Sequence, residues 1–326
     1  MYPAATFRGS EEECGMARVI FMGSAEYSVP SLMALTMAHQ VVGVVTQPDR
    51  PAGRGQKVVA NPVKRLAEAS EFPIYQPTTL RTAEAVSQLA GWEPEVIVVA
   101  AFGHILREPI LELALHGCVN VHASLLPRWR GASPVAAAIL AGDTETGVTI
   151  MKMDRGMDTG PILAQEATGI EVDDTTASLS ARLAELGAWL LVEVLPPYLE
   201  GDLVPMPQPE AGVTYASLLT KEDGRIDWTI PAVQIDRQVR AFTPWPGAYT
   251  FWEGTLLKVL EAIPFEDWTG PERPGTILEG EVRPLVATGE GAVWLTRLQL
   301  AGKKAMTADV FLRGRPDFVG AVLGLG

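Results

Sequence analysis

Two periods alternate along this chain. Apolar runs of about five residues, flanked by glycine, proline or polar clusters, give way to stretches whose apolar positions recur every three or four residues, the pattern of parallel strands joined by helices. Residues 18–23 (R-V-I-F-M-G) read as a buried first strand and 41–46 as a second, with Ser24 or Ser28 placed to cap a helix through Leu32 and Leu35. Helix is expected over 61–71 and 82–90, with a brief strand at 74–76 between them. Residues 96–100 (V-I-V-V-A) form the most apolar strand, suited to a central position covered on both faces. Strands at 118–122 and 148–153 follow, separated by a short helical run, and then a long helix at 175–199 with Leu179, Leu183, Leu186, Leu190 and Val194 on one stripe.

The pattern then changes. Residues 196–209 carry five prolines and read as an extended linker, with a boundary near residue 205. A helix at 230–242 precedes P-W-P at 244–246, and β-like runs at 248–252, 255–263, 275–278, 285–288 and 292–300 alternate with glycine turns. The expected fold is α/β: a Rossmann-like doubly wound parallel sheet followed by a small OB-like β-barrel that can offer a groove to nucleic acid. The expected division is an extension at 1–16, a catalytic domain at 17–204, a linker at 205–222 and a C-terminal domain at 223–326.

Composition narrows this picture. A length of 326 residues favours two domains, each able to bury its own core. Cys14 and Cys118 have no C-x-x-C or Cys/His spacing, so neither zinc nor a disulfide framework is expected and a reducing compartment is. No apolar run approaches the roughly 20 residues that cross a bilayer, so a soluble chain without a membrane partner is expected. Residues 1–15 lack an apolar signal core, and Glu11, Glu12 and Glu13 argue against an acid-poor transit peptide; with Met16 next to the first strand, they read as a dispensable extension or an over-long start. One glycine closes the first strand where a dinucleotide fold needs G-x-G-x-x-G, so a nicotinamide cofactor is not expected.

The net charge is −13, against the basic footprint of nucleic-acid binders, but the positive charge is clustered. Arg50, Arg54, Lys57, Lys64 and Arg65 face only Asp49 within 47–65, and Arg297, Lys303, Lys304, Arg313 and Arg315 face only Asp309 within 297–315. Two basic islands on an acidic body would orient a polyanion.

The candidate chemistry lies in 117–165. A strand at 118–122 puts Asn120 and His122 on one face, Cα atoms roughly 7 Å apart, with Val119 and Val121 opposite. Pro127 and Gly131 end the strand, leaving His122 at its carboxyl end, where open α/β sheets bind ligands. The 148–153 run leads into D-R-G-M-D-T-G, whose glycines allow turns that swing Asp158 back. Asn120 can donate its amide hydrogens to an oxyanion, a protonated His122 a charge-assisted hydrogen bond, and Asp158 can accept a proton. Singly, each has an ordinary reading: a strand-end Asn, a half-buried His, an Asx turn.

N-V-H-A-S-L-L-P-x-x-x-G followed by D-x-G-x-D-T-G resembles the folate-dependent formyltransferases. That family's catalytic Asn, His and Asp have the spacing of Asn120, His122 and Asp158. S-L-L-P-R-W-R-G-A-S-P, Q-P-D-R-P-A-G-R-G-Q-K, R-I-D-W, R-A-F-T-P-W-P-G and A-G-K-K-A-M resemble the branch that acts on charged initiator tRNA, and the likeness covers nearly everything from Ala17 on. Ala123 stands where the resemblance leads one to expect glycine. The resemblance implies a formyltransferase fold and transfer of a formyl group from 10-formyltetrahydrofolate, a co-substrate used without a metal, to the α-amine of methionyl initiator tRNA. It implies a bacterial-type cytoplasmic monomer, with an organelle form open. It assigns folate contacts to Ser124, Leu125, Leu126, Pro127, Phe102, Gly103 and Ile105, and tRNA contacts to Arg50, Arg54, Lys57, Lys303 and Lys304. The rivals are a sibling acting on an amino sugar or ribonucleotide amine, which needs no arginine loop, and a non-catalytic tRNA-binding protein.

Overall fold

The computed structural model of the protein describes residues 16–52, 57–280 and 283–324. The expected extension, apart from Met16, and Arg54 lie outside the described residues. Contacts divide the chain into two units. One holds the described residues up to Asn120 together with Ala188–Pro205, and the other holds Val121–Gly187 and the described residues from Met206 on.

The first unit begins with β1 (Arg18–Gly23), α1 (Val29–Ala38), β2 (Gln40–Val45), β3 (Arg50–Ala52), β4 (Lys57–Val59), α2 (Pro62–Ala69), β5 (Ile74–Tyr75), α3 (Ala83–Ala90), β6 (Val96–Ala100) and α4 (Glu108–Leu111). It ends in β7 (Cys118–His122), whose last two residues belong to the second unit. Parallel strands run in the order β7-β6-β1-β2-β5, with Val19 opposite Val96 and Val98 opposite Val119. Every residue of β6 is buried, as its run of β-branched side chains demands of a strand covered on both faces. Asn61 caps α2 by accepting from the Lys64 amide at 3.0 Å, and Thr82 caps α3.

Two local expectations are corrected here. Neither Ser24 nor Ser28 caps α1: the Ser28 hydroxyl donates to the Ala100 carbonyl at 2.6 Å, and Ser24 Oγ accepts from the Gln47 amide at 3.0 Å. Both serines tie strand ends together instead. The arginine loop of the tRNA reading, residues 47–59, contains an antiparallel hairpin in which Arg50 pairs with Val59 and Ala52 with Lys57. Pro51 is tolerated because a two-stranded ribbon consists only of edges. At its base the Gln47 carbonyl accepts from Asn61 Nδ2 at 3.0 Å and Gln76 Nε2 at 2.9 Å, and Asp49 pairs with Lys64 at 2.5 Å.

The second unit contains β8 (Arg130–Gly131), α5 (Pro134–Ala141), β9 (Glu145–Lys152) and β10 (Ile162–Gly169). β10 is antiparallel to β9, a strand that its weak alternation had concealed. Helix α6 (Thr176–Glu200) follows and crosses into the first unit at Ala188. It runs through Pro196 and Pro197, where an extended linker was expected. A mid-helix proline costs about 3 kcal/mol, and two are tolerated because the last turns are packed. Leu195 and Tyr198 are buried, and the Tyr198 hydroxyl donates to the His116 carbonyl at 2.6 Å.

Residues from Met206 on return to the second unit as a packed strap. Met206 and Ile162 exchange both backbone hydrogen bonds, at 2.7 and 2.8 Å, and β11 (Tyr215–Ala216) pairs in parallel with β8. Then come α7 (Ala232–Ala241), β12 (Tyr249–Trp252), β13 (Thr255–Phe265), β14 (Ile277–Leu278), β15 (Leu285–Ala287), β16 (Ala292–Leu300), β17 (Met306–Thr307) and α8 (Ala308–Gly314). The six strands form one antiparallel sheet, ordered β12-β13-β16-β15-β14 with β17 beside β16. Its core centres on Trp252, whose ring meets Phe318 edge-on at 5.1 Å and Phe311 at 5.8 Å.

Candidate active site

β7 carries Asn120 and His122 two residues apart, hence on one face, 9% and 6% exposed. Among the described residues nothing hydrogen-bonds the Asn120 side chain. The Asn120 amide keeps contact with solvent and its donors are uncommitted, so an arriving acceptor gains a preformed donor.

His122 is held by the loop that follows. Its Nε2 lies 3.0 Å from the Trp129 carbonyl, and since a carbonyl only accepts, Nε2 carries a hydrogen. Nδ1 is the nitrogen left for chemistry, and it lies 3.7 Å from Asp158 Oδ2. A bare Nδ1 and a carboxylate would oppose two acceptors; a proton on Nδ1, or a donor entering between them, resolves the conflict. Asp158 Oδ2 also accepts from the Gly131 amide at 2.8 Å, which fixes the carboxylate.

Two residues of this arrangement have left-handed backbone: Asp158 at φ 52° and Trp129 at φ 60°. Asp tolerates that region, whereas a bulky aromatic there is a genuine outlier. Trp129 is held at both ends, its amide donating to Thr214 Oγ1 at 2.9 Å and its indole N–H to Asp143 at 2.8 Å. Arg128 grips both Asp143 oxygens at 2.8 and 2.6 Å. Burial pushes the Asp143 carboxyl up, but the hydrogen bonds from Arg128 and Trp129 outweigh it and hold the group below its ordinary value. Gly131 is required on two counts: φ is 117°, and a Cβ would stand 2.5 Å from the Ala216 carbonyl of the paired strand.

The S-L-L-P segment is pinned from β9 and β10. Thr149 Oγ1 donates to the Ser124 carbonyl at 2.6 Å and accepts from the Leu126 amide at 3.0 Å, and Gln165 Nε2 donates to the Leu126 carbonyl at 2.8 Å. Of the expected folate residues, Ser124 is buried and commits its hydroxyl to the Arg128 carbonyl, Leu126 packs against Met151 and Ile162, and Leu125 and Pro127 are half-buried. In the first unit Phe102 is buried, Gly103 has φ 77° and Ile105 is 76% exposed. Of the expected tRNA contacts, Arg50 and Lys57 stand on the hairpin strands, Arg54 lies outside the described residues, and Lys303 and Lys304 are exposed in the turn after β16.

Trp129, Thr149, Gln165, Gln208 and Thr214 were missed by sequence reasoning. Gly131, whose conformation allows the Trp129 loop to close on Asp158, was the one local signal for it. Gln208 lies in a proline-rich stretch whose composition points away from a site. Among the described residues there is no group of three or more His, Cys, Asp and Glu able to hold a metal ion, and no helix is long and apolar enough to cross a membrane.

Residues 17–195 match the formyl transferase family and residues 218–316 the formyl transferase C-terminal domain. The chain belongs to the formyl transferase family. Its relatives include the methionyl-tRNA formyltransferase of Myxococcus xanthus, 51% identical over 298 residues that make up 91% of this chain and 95% of that one. The enzyme of the same name from Magnetococcus marinus is 48% identical over 311 residues, 95% of this chain and 99% of that one. Among solved structures, HypX from Aquifex aeolicus in complex with tetrahydrofolic acid superposes with a TM-score of 0.63 at 19% identity, covering 93% of this chain and 47% of that longer one. That likeness is one of fold.

Proposed function

We propose that this chain transfers the formyl group of 10-formyltetrahydrofolate to the α-amino group of methionyl initiator tRNA, giving formylmethionyl-tRNA for translation initiation. The observation that carries the reading is the His122–Asp158 pair at 3.7 Å with its outer nitrogen fixed by Trp129, on a chain about half identical to enzymes of that name over nearly its full length. The uncommitted Asn120 amide fits a co-substrate that presents a carbonyl oxygen.

Bound 10-formyltetrahydrofolate supplies a formyl carbon open to attack by an amine. Asn120 donates its amide hydrogens to the oxygen that gathers charge as the amine adds. A proton on His122 Nδ1 would make it a second, charge-assisted donor beside Asp158, while Nε2 stays on the Trp129 carbonyl and keeps the ring from turning. Asp158, held by the Gly131 amide, accepts the proton that the amine sheds, directly or through water; the tetrahedral adduct then collapses by breaking the bond from the formyl carbon to N10, which takes up a proton and leaves as tetrahydrofolate. The walls of the folate site are assigned to Ser124, Leu125, Leu126, Pro127, Phe102, Gly103 and Ile105. The tRNA is assigned to Arg50, Arg54 and Lys57 on the 47–59 segment and to Lys303 and Lys304. On this reading 17–204 carries the chemistry and the arginine-bearing 47–59 segment, 223–326 carries the second RNA contact, 205–222 joins them, and the enzyme is a cytoplasmic monomer.

The direct test is radiolabelled formyl transfer to charged initiator tRNA, charged elongator tRNA and an amino sugar nucleotide. Fast transfer to initiator tRNA alone is expected. Transfer to the sugar in its place would reassign the chain to a sibling activity.

A further inference from the structure

Gln208 stands in the segment whose composition reads as linker, yet its side chain is fully committed. Its Oε1 accepts from Arg130 Nε at 3.0 Å and Nη2 at 2.6 Å. Both hydrogens of its Nε2 are used, on the carbonyls of Asp158 and Gly160, each at 2.8 Å. These carbonyls belong to Asp158 itself, which has a left-handed backbone, and to the residue two places after it, so the amide closes on the backbone that carries the Asp158 side chain. Arg130 is buried, and among the described residues no carboxylate pairs with it; its guanidinium is spoken for by Gln208. The amide is therefore orientated as well as bonded: with Arg130 on the oxygen, only the nitrogen can face the turn.

We propose that Gln208, orientated by Arg130, is a positioning residue that holds the Asp158 carboxylate toward His122, so that the 205–222 segment completes the active site as well as connecting domains. The proposal rests on the reading of Asp158 as the proton acceptor. Asp158 has a left-handed backbone, and among the described residues its carboxylate has one hydrogen-bond anchor of its own, the Gly131 amide. Gly131 lies in β8, which is paired with β11 of the same segment, so the strap grips the carboxylate from the Gly131 side and from the backbone of its own turn. Loss of the clamp should lower turnover without weakening substrate binding.

The experiment is a double-mutant cycle on the full chain with 10-formyltetrahydrofolate and charged initiator tRNA, measuring kcat, both KM values and the melting temperature. Gln208→Ala is expected to lower kcat roughly tenfold or more, with each KM within about twofold and melting shifted by only a few degrees. Gln208→Glu, which keeps its size and the Arg130 partner but offers no donor to the two carbonyls, should lose as much and guards against a folding defect in the alanine variant. In an Asp158→Asn background, Gln208→Ala should cost less than about twofold, because the group it positions is already gone. Unchanged kcat in both Gln208 variants, or an equal loss in both backgrounds, would overturn the clamp. An active Asp158→Asn enzyme would overturn the reading beneath it, whereas an inactive one beside a fully active Gln208→Ala would overturn the clamp alone.

Discussion

Strands β6 and β7 are register neighbours of five residues each, and every residue in both is buried. β6 is V-I-V-V-A, whereas β7 is C-V-N-V-H and carries an amide and an imidazole at the same depth. Packing accounts for the first composition and cannot account for the second. An amide set this near to full burial without a protein partner packs less well than a valine would, so a strand optimised only for stability would read like β6. The difference marks what β7 carries beyond packing: polar groups set at the carboxyl end of a parallel strand, the Asn120 amide uncommitted and the His122 ring held by the Trp129 carbonyl.

The largest effect that sharpens this contrast is on turnover. Asp158→Asn keeps size and the Gly131 contact but removes the proton acceptor, and kcat is expected to fall about 100-fold or more while the melting temperature holds. Steady-state kinetics on the folded variant checks it; near-normal turnover would remove Asp158 from the reaction. The reverse exchange, Val98→Asn, imposes the composition of β7 on β6. It should destabilise by about 2–4 kcal/mol in urea titration and leave kcat per folded molecule unchanged. A mild effect there would mean that a buried amide is cheap in this sheet, and the contrast would lose its meaning.

A smaller effect comes from His39, a buried histidine with no chemistry. Among the described residues neither of its ring nitrogens has a partner, and burial pushes the imidazole below its ordinary 6.5, with Glu95 offsetting part of that. The unfolded chain therefore binds the proton more readily than the folded one. His39's contribution is complete above pH 6.5 and is lost as pH falls from there through the lower folded value. His39→Leu should flatten this slope, read as the difference in urea midpoint between about pH 5.5 and pH 7.5. An unchanged slope would assign it to other groups.

Much of the fold was legible because strands with one environment along their length declare themselves. β6 and β7 begin and end where their apolar runs do, and β12, β13, β15 and β16 sit where the glycine turns divide the chain. β10 was hidden because only its first residues are buried and the rest meet solvent, so it shows no steady period. The end of α6 and the strap at 206–216 were hidden for another reason: proline content reports local preference, while Tyr198, Gln208 and Thr214 are held by distant partners. For the candidate site, Asn120, His122 and Asp158 could be singled out because their chemistry and spacing are read along the chain. The residues that fix them, from Trp129 to Gln208, become visible only when remote segments are brought together.

The central claim is that β7 keeps Asn120 for chemistry at the expense of stability. Asn120→Val makes the strand resemble β6 and tests this in a single sample by measuring kcat for formyl transfer to charged initiator tRNA together with the melting temperature. The account predicts a melting temperature equal to or above that of the parent and a kcat lower by about 100-fold or more. A variant that keeps its turnover within about threefold, or that melts many degrees lower, would contradict it.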